Sequence, residues 1–187
     1  PNYERDCRDY HGIMERKSVS PADARAIILT RTTALATLLL HRGDVDGMVA
    51  GVNGGFHKHL NYVRNVIGVA PGLTDFSTIN LLITPKGSLF MTDTYVTNDP
   101  SAEHIAQTTL IAADVVRRFG LTPKAALLSH SNFDSSKAPS AQKMRDALQI
   151  LIERDPDLEV EGEMHSDAAI SEQIRDRIFP NSRLTGS

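Results

Sequence analysis

A hydroxyl-rich segment with an imidazole, Ser129-His130-Ser131-Asn132, follows the apolar run AALL at residues 125–128. Its hydroxyl, imidazole and amide groups can all form hydrogen bonds to a polar or anionic ligand. Ser and Asn also commonly stabilise the turn after a strand by bonding to nearby backbone groups. The four residues are therefore candidates for a binding site, and a purely local capping role is the alternative.

A glycine-rich segment, Gly51–Gly55, is the second candidate, and it contains Asn53 and Gly54. Glycine allows the backbone to approach a ligand such as a phosphate closely. The spacing of these glycines matches neither the P-loop nor the dinucleotide fingerprint. The segment therefore indicates that the backbone could approach a ligand closely, but it does not identify the ligand.

The third candidate segment, Gly162–Asp167, contains His165 and Asp167. These two residues could equally be a helix cap and its neighbour. All three segments follow predicted strands, and ligands of open parallel sheets bind beyond the carboxyl ends of the strands. We therefore expect the three segments to converge on one cleft.

The stretch FHKHLNYVRNVIG at residues 56–68 predicts an amphipathic helix after the glycine-rich turn. His57, Asn61 and Arg64 recur on its polar stripe. His57 and His59 are interpreted mainly as solvated, because no carboxylate or third ligand lies at metal-binding spacing, and no metal site is predicted. A serine hydrolase is disfavoured, because the chain has no G-x-S-x-G elbow.

The first half of the chain begins with a strong helix signal at Ser20-Pro21-Ala22-Asp23, a hydroxyl cap followed by proline and an acid. This helix is expected to run to about Arg42 and to stop at Gly43. Strands are expected at 46–52, 77–84 and 88–94, the last two joined as a hairpin by Pro85-Lys86-Gly87.

The second half continues the alternation of helix and strand. The expected elements are a helix capped by Asp99-Pro100 and running to about residue 119, a strand at 124–129, a helix at 140–155, a strand at 158–164 and a helix at 166–179. Strands separated by helices of this length predict an α/β fold with a mostly parallel sheet in a three-layer α/β/α arrangement. The Pro and Gly residues of 68–75 suggest a boundary between subdomains at 1–70 and 71–187.

Composition excludes several classes of function. The 187 residues carry a formal net charge of −3 and no long basic run, which disfavours nucleic acid as a partner. The apolar runs are too short to span a bilayer. Cys7 is the single cysteine, so no internal disulfide is possible, which fits a reducing cytoplasm. The chain starts without Met and both ends look cut, so it is expected to be a fragment of a larger domain.

Four motifs together resemble the phosphate acetyl/butyryltransferase family. They are GDVDGMVAGV at 43–52, TDTYVTNDPSAEHIA at 92–106, FGLTPKAALLSHSNF at 119–133 and DLEVEGEMHSDAAI at 157–170. The LLSHSNF and EGEMHSDAA forms are most similar to the phosphotransacetylase-like C-terminal domain of bacterial NADP-dependent malic enzymes. The resemblance implies an isocitrate/isopropylmalate-dehydrogenase-like fold, with two subdomains around an acyl-CoA cleft.

The resemblance also implies roles for particular positions. Arg16 matches an arginine that the family uses just before its first long helix in this segment. Asn61 stands where the family has a second arginine, and Arg64, one helical turn further, is a candidate substitute. The family's remaining catalytic residues lie beyond the end of this sequence, so no catalytic residue is assigned.

The function implied by the resemblance is a regulatory module that binds acetyl-CoA and assembles a malic enzyme. NADP and a divalent metal would belong to a malic-enzyme portion outside this segment. A homo-dimer through residues 75–187 is expected. The alternative is an active phosphate acetyltransferase that moves acetyl between CoA and phosphate, and a structural oligomerisation domain is the third reading.

Overall fold

The computed structural model describes residues 2–85, 87–94 and 96–186. The chain divides into two compact units, Pro1–Gly72 and Leu73–Ser187. The division falls inside the Pro- and Gly-rich segment 68–75. That these units are the two subdomains of one cleft stays a prediction.

The described part of unit 1 is helical. Its elements are α1 (Tyr3–Met14), a short 3₁₀ turn (Glu15–Lys17), α2 (Pro21–Thr30), α3 (Thr32–His41) and α4 (Phe56–Val66). Its core is built from apolar side chains of all four helices: Tyr10, Met14, Ala24, Ile28, Ala34, Leu38 and Val66. Helix α1 was not predicted from the sequence.

The start of α2 confirms the predicted capping box. The Ser20 hydroxyl accepts a hydrogen bond from the Asp23 backbone N–H, and the Asp23 carboxylate accepts one from the Ser20 N–H. The expected single helix is nevertheless interrupted, because Arg31 has extended backbone angles (φ −120°, ψ 91°) and separates α2 from α3. The threonines on either side of Arg31 are β-branched, and the Thr30 hydroxyl donates to the Ala26 carbonyl at 2.7 Å, which weakens helical continuity.

The strand expected at 46–52 is wrong. Residues 47–55 form bends and coil, and Val49 and Val52 are fully exposed. No strand occurs in the described part of unit 1, so residues 46–52 have no neighbour to complete a hydrogen-bonded ladder.

Unit 2 combines strands and helices. Its elements are β1 (Asn80–Thr84), β2 (Gly87–Met91), α5 (Ala102–Arg118), β3 (Lys124–Leu128), α6 (Pro139–Arg154), β4 (Glu159–Met164), α7 (Ser166–Ile170) and α8 (Glu172–Ile178). Strands β1 and β2 form the predicted antiparallel hairpin, although Lys86 of its turn lies outside the described residues. Strands β3 and β4 are parallel neighbours. The core joins α5, β3, α6 and β4 through Ala106, Ala113, Leu127, Ala147, Leu148, Leu151, Leu158 and Val160.

Two local predictions in unit 2 need correction. Helix α5 is capped by Ser101, whose hydroxyl accepts the His104 N–H, and not by Asp99-Pro100. The helix expected over 166–179 is two helices, because Ser171 is extended and caps α8 through the Ile174 N–H. In both cases a serine hydroxyl takes an N–H that the new helix leaves unpaired.

The α/β class is confirmed. The described strands form two separate two-stranded sheets, one antiparallel and one parallel. The three-layer arrangement around a larger parallel sheet therefore stays a prediction.

Candidate functional site

The loop after β3 and the end of β4 lie together in unit 2. The Ser129 N–H donates to the Met164 carbonyl at 2.9 Å, which prolongs the β3–β4 pairing by one residue. The Phe133 N–H donates to the Glu163 carbonyl at 2.8 Å. The structure thus brings two of the three candidate segments to the carboxyl end of the parallel strand pair, where ligands of such sheets bind.

His165 connects the two segments directly. Its backbone N–H donates to Asn132 Oδ1 at 2.7 Å, and its ring Nε2 lies 2.9 Å from the carbonyl oxygen of His130. A carbonyl can only accept, so Nε2 carries the proton and donates. In the neutral ring Nδ1 is then the hydrogen-bond acceptor. His165 is the N-cap residue of α7, as the sequence left open, but its side chain makes no capping hydrogen bond there.

The burial of Ser131 differs from what the sequence predicts. We expected it to face a cleft, but it is 0% exposed. Its hydroxyl donates to Glu163 Oε1 at 2.7 Å and accepts the Ser136 N–H at 3.0 Å. Ser131 therefore holds the loop together and is not placed to touch a ligand.

Glu163 is the centre of this loop network, and it too is 0% exposed. Besides the Ser131 hydroxyl, its Oε1 accepts the Asp134 N–H at 3.0 Å and Nη1 of Arg145 at 2.8 Å. Arg145, on α6, also lies 3.2 Å from Asp134 Oδ1. A buried carboxylate is tolerated when it is paired and hydrogen-bonded, and Glu163 meets both conditions through one oxygen.

Burial acts on the Glu163 carboxyl by disfavouring its charged form. The hydrogen bonds from Ser131 and from backbone N–H groups, together with the positive charge of Arg145, outweigh burial and hold the pKa of Glu163 below its ordinary value. The hydrogen bond from Lys137 is the main cause of a lowered pKa at exposed Asp134. Both groups are therefore carboxylates at neutral pH.

The remaining candidates of unit 2 divide by exposure. Ser129 and Asn132 are half-buried, whereas His130 and His165 are exposed. Asp167 is exposed and accepts the Ala168 N–H at 2.8 Å, which is the local capping role left open by the sequence. His130, Asn132 and His165 are thus the accessible polar groups that the loop network orders.

An apolar cavity of about 430 Å³ lies within unit 2, between α5, β3 and residues 90–94. Leu128, directly before Ser129, is one of its lining residues, and Ile105, Ala113, Val116 and Leu127 are others. Small-molecule sites typically have volumes of about 300–1,000 Å³ and mostly apolar walls. The ordered polar loop thus begins next to an apolar slot of suitable size.

Gly51–Gly55 belongs to unit 1, where a histidine anchors it. His59 Nε2 lies 2.8 Å from the Asn53 carbonyl, and Nδ1 lies 2.8 Å from the Thr33 hydroxyl. Gly54 has φ +96°, and a Cβ there would lie 3.2 Å from His59 Nε2, so glycine is strongly favoured at this position. The interpretation of His59 as merely solvated is therefore wrong, since it joins the glycine-rich segment to α3.

The other candidates of unit 1 are exposed. His57, Asn61 and Arg64 share one face of α4, as the sequence predicts. Arg16 lies in the 3₁₀ turn, next to Lys17, whose ammonium donates to the carbonyl and side chain of Asn65 on α4 at 2.9 and 3.1 Å. The convergence of this group with the loop of unit 2 stays a prediction.

Sequence reasoning missed Glu163 and Arg145. In LEVEGEM the glutamates alternate with other residues, a pattern that usually indicates a solvated strand face. The structure instead buries Glu161 and Glu163. The only available signal was the concentration of three carboxylates in one predicted strand, and it does not reveal their partners.

The described residues include no group of three or more His, Cys, Asp or Glu side chains that could hold a metal ion. Among the helices of the described ranges, none is both long and apolar enough to cross a membrane.

Similar proteins were found by three comparisons. The chain is 50% identical over 186 residues to the NAD-dependent malic enzyme of Rhizobium meliloti, covering 100% of the chain and 24% of the relative. It is 43% identical over 187 residues to the NADP-dependent malic enzyme of Escherichia coli, covering 100% of the chain and 25% of that relative. A phosphate acetyltransferase of Synechocystis is 32% identical over 186 residues, covering 100% of the chain and 26% of the relative.

The fold is similar to that of solved phosphotransacetylases. The enzyme from Streptococcus pyogenes matches with a TM-score of 0.82 and 25% identity, over 100% of this chain and 56% of that one. The chain spans about a quarter of the length of the curated relatives it matches. The family described as phosphate acetyl/butaryl transferase matches residues 1–187. The whole chain therefore belongs to the phosphate acetyl/butaryl transferase family.

Proposed function

We propose that the chain is the phosphotransacetylase-like domain of a malic enzyme and that it binds acetyl-CoA as a regulatory signal. The observation that carries this proposal is the identity over the full chain, which is 50% and 43% to two malic enzymes but 32% to a phosphate acetyltransferase. The parent protein would oxidise and decarboxylate malate.

The geometry of unit 2 supports binding of an acyl-CoA. His130, Asn132 and His165 offer polar groups on an ordered loop, and the cavity of about 430 Å³ starts at Leu128. Coenzyme A needs such a combination, because its pantetheine arm carries amides along an otherwise apolar chain. A few polar contacts and an apolar slot are sufficient for binding.

Catalysis of acetyl transfer needs more than binding. Cations must hold the phosphate and stabilise the developing oxyanion, and the resemblance to the family implies that one such arginine is replaced by Asn61. Loss of one oxyanion-stabilising group lowers turnover by about 10²–10³-fold in other enzymes. We therefore propose that the domain binds acetyl-CoA and turns it over poorly.

The nicotinamide cofactor and divalent metal of malate oxidation belong to the rest of the parent in this proposal. The reason for this assignment is that the sequence has no dinucleotide fingerprint and no set of ligands at metal-binding spacing. NADP is the cofactor that we propose for the parent protein. The relatives include an NAD-dependent enzyme and several NADP-dependent enzymes. The cytoplasmic location expected from the single cysteine is also part of the proposal.

Assembly into a homo-dimer through residues 75–187 is a further part of the proposal. The hairpin β1–β2 presents apolar side chains to solvent, among them Ile83, which is 82% exposed, and Leu81, Leu89 and Met91. Hairpins with such exposed edges are usually covered, and in a symmetric dimer a second copy would cover this one. Sedimentation of the full-length protein at micromolar concentration tests this, and a monomer would contradict it.

The regulatory proposal is tested by titrating acetyl-CoA into the full-length protein while malate-dependent NADPH or NADH formation is followed. We expect acetyl-CoA to change the malate-dependent rate in a saturable way, and free CoA to serve as the control ligand. An unchanged rate at saturating, independently measured acetyl-CoA occupancy would contradict regulation.

An active phosphate acetyltransferase is the second candidate, favoured by the family to which the chain belongs. It predicts formation of acetyl phosphate from acetyl-CoA and phosphate by the purified protein. We expect negligible formation, and Asn61→Arg is expected to raise it. Robust turnover by the unaltered protein would favour the transferase, whereas absence of acetyl-CoA binding would favour a purely structural domain.

A further inference from the structure

Glu163 makes contacts with three consecutive parts of the 129–136 loop. Its carboxylate Oε1 accepts the Ser131 hydroxyl and the Asp134 N–H, and its backbone carbonyl accepts the Phe133 N–H. One buried residue of β4 therefore determines the path of the loop between residues 131 and 134.

The loop needs these stabilising contacts, because two of its residues have unfavourable backbone dihedral angles. Phe133 and Asp134 have φ angles of 43° and 66°, in the left-handed region that residues other than glycine rarely adopt. The N–H groups of these same two residues are the ones bound by Glu163. Loss of the Glu163 carboxylate would remove its contacts with Ser131 and Asp134, whereas the contact with Phe133 is made by the backbone carbonyl and would stay.

The loop in turn orients His165. The side-chain oxygen of Asn132 accepts a hydrogen bond from the His165 backbone N–H, and the carbonyl of His130 accepts one from Nε2–H. With the Nε2 proton donated to that carbonyl, Nδ1 is the ring nitrogen that can accept a hydrogen bond in the neutral form of the imidazole. Glu163 and His165 are two residues apart in sequence, but the hydrogen bonds between them run through the loop.

We propose that Glu163 is a positioning residue for acyl-CoA recognition: it holds the 129–136 loop so that His165 keeps Nδ1 as the acceptor for an N–H donor of the acyl-CoA. Amide N–H groups of the pantetheine arm are donors of the required class. The proposal rests on the proposed function, since it names a recognition contact of the same site. His165 is the contacting residue, and Glu163 acts only through it.

The test is a double-mutant cycle on acetyl-CoA affinity in the full-length protein, measured by isothermal titration calorimetry. His165→Ala removes the acceptor and is expected to weaken binding about 3–10-fold, the range for one hydrogen bond. Glu163→Gln keeps the size and the Oε1 acceptor but removes the charge that holds Arg145, and it is expected to weaken binding at least about threefold. Binding stoichiometry should stay unchanged in both.

Coupling distinguishes a positioning role from general destabilisation. If Glu163 acts through His165, Glu163→Gln should weaken binding less than about twofold further when His165 is already alanine. Asn132→Ala leaves the contacts of Glu163 in place, breaks the link to His165 and should show the same non-additivity, which keeps the test valid if Glu163→Gln fails to fold. Glu153→Gln, the same change at an exposed site on α6, is the matched control and should bind normally.

The outcomes separate the two proposals. The positioning role would be overturned if the losses of affinity caused by Asn132→Ala and Glu163→Gln were each fully additive with that of His165→Ala. Reduced stoichiometry with unchanged affinity would overturn it as well. Either result would leave the proposed binding function standing. Normal affinity of His165→Ala would overturn the contact itself. No detectable acetyl-CoA binding by the unaltered protein would overturn both.

Discussion

Two segments that the sequence predicts as parts of a binding site differ in their burial and in the residue that anchors them. The loop at 129–136 in unit 2 is organised around a buried carboxylate, Glu163, and its serine hydroxyls are used inside the loop. The segment 46–55 in unit 1 is exposed except at Met48, and its anchor is the side chain of His59.

This difference indicates how each segment would meet a ligand. A loop whose polar groups are already ordered binds without a further loss of conformational entropy. An exposed glycine-rich segment has to be ordered at the moment of binding, and part of the interaction energy is then lost. We infer that the unit 2 loop would meet a ligand with its polar groups already ordered, whereas the unit 1 segment would lose conformational freedom on binding.

The largest expected effect in this comparison is that of Arg145→Ala. It leaves Glu163 buried without its cation, which typically costs about 3 kcal/mol when one partner of a buried pair is removed. Hydrogen exchange of the full-length protein should show this loss at 129–136 and no change at 46–55.

The matched control for Arg145→Ala is on the same helix. Arg154 pairs with Glu103 at 2.7 and 2.8 Å, but both side chains are exposed. Arg154→Ala is therefore expected to cost less than about 1 kcal/mol. Equal effects of the two substitutions would show that burial of Glu163 is not what orders the loop.

Acidification should destabilise the unit 2 loop by a smaller amount. The pKa of Glu163 is lower in the folded protein than its ordinary value, so its contribution is fully present above the unfolded pKa of about 4.3 and is lost as pH falls toward the folded pKa. Protonation keeps the hydrogen-bond acceptors in place, which is why the effect is smaller than that of Arg145→Ala.

Comparison with Glu163→Gln at each pH isolates this contribution. The difference in exchange protection at 129–136 between the unaltered protein and the variant should be constant from pH 7 to 5 and shrink below about pH 4. A difference that does not depend on pH would mean that the charge of Glu163 is irrelevant to the loop.

Ser131→Ala should weaken the loop by about 1–2 kcal/mol, because it removes one of the donors to the buried Glu163 Oε1 and also the hydroxyl that accepts the Ser136 N–H. Ser129→Ala is the milder comparison, since its hydroxyl accepts one N–H at 3.2 Å, and about 0.5 kcal/mol is expected. Exchange protection of the loop measures both. The reverse order would place Ser129, not Ser131, at the centre of the network.

Leaving aside the milder comparison variants, the smallest effect is expected in unit 1. His59→Ala removes the bridge between the Asn53 carbonyl and the Thr33 hydroxyl and should cost about 1 kcal/mol, with faster exchange at 51–55. His57→Ala, at an exposed position two residues earlier on α4, should stay within about 0.5 kcal/mol. If His57→Ala were the more damaging change, the anchoring role of His59 would be refuted.

The sequence by itself determined those features that depend on neighbouring residues. The capping box of α2 joins Ser20 and Asp23, three positions apart, and the hairpin around Pro85 joins strands that are adjacent in the chain. Turns and caps are local, so residue type and spacing suffice to predict them. The family resemblance is likewise contained in consecutive motifs and needs no coordinates.

The tertiary structure alone decided which polar residues are accessible. Ser131 and Glu163 are 32 residues apart, and nothing in SHSN or LEVEGEM tells which hydroxyl is buried against which carboxylate. The absent strand at 46–52 has the same cause, because a strand exists only where another chain segment completes its hydrogen bonds. Burial and pairing are properties of segments distant in sequence, so the position of His165 and the hydrogen bond from its Nε2 to His130 could be read only from the folded protein.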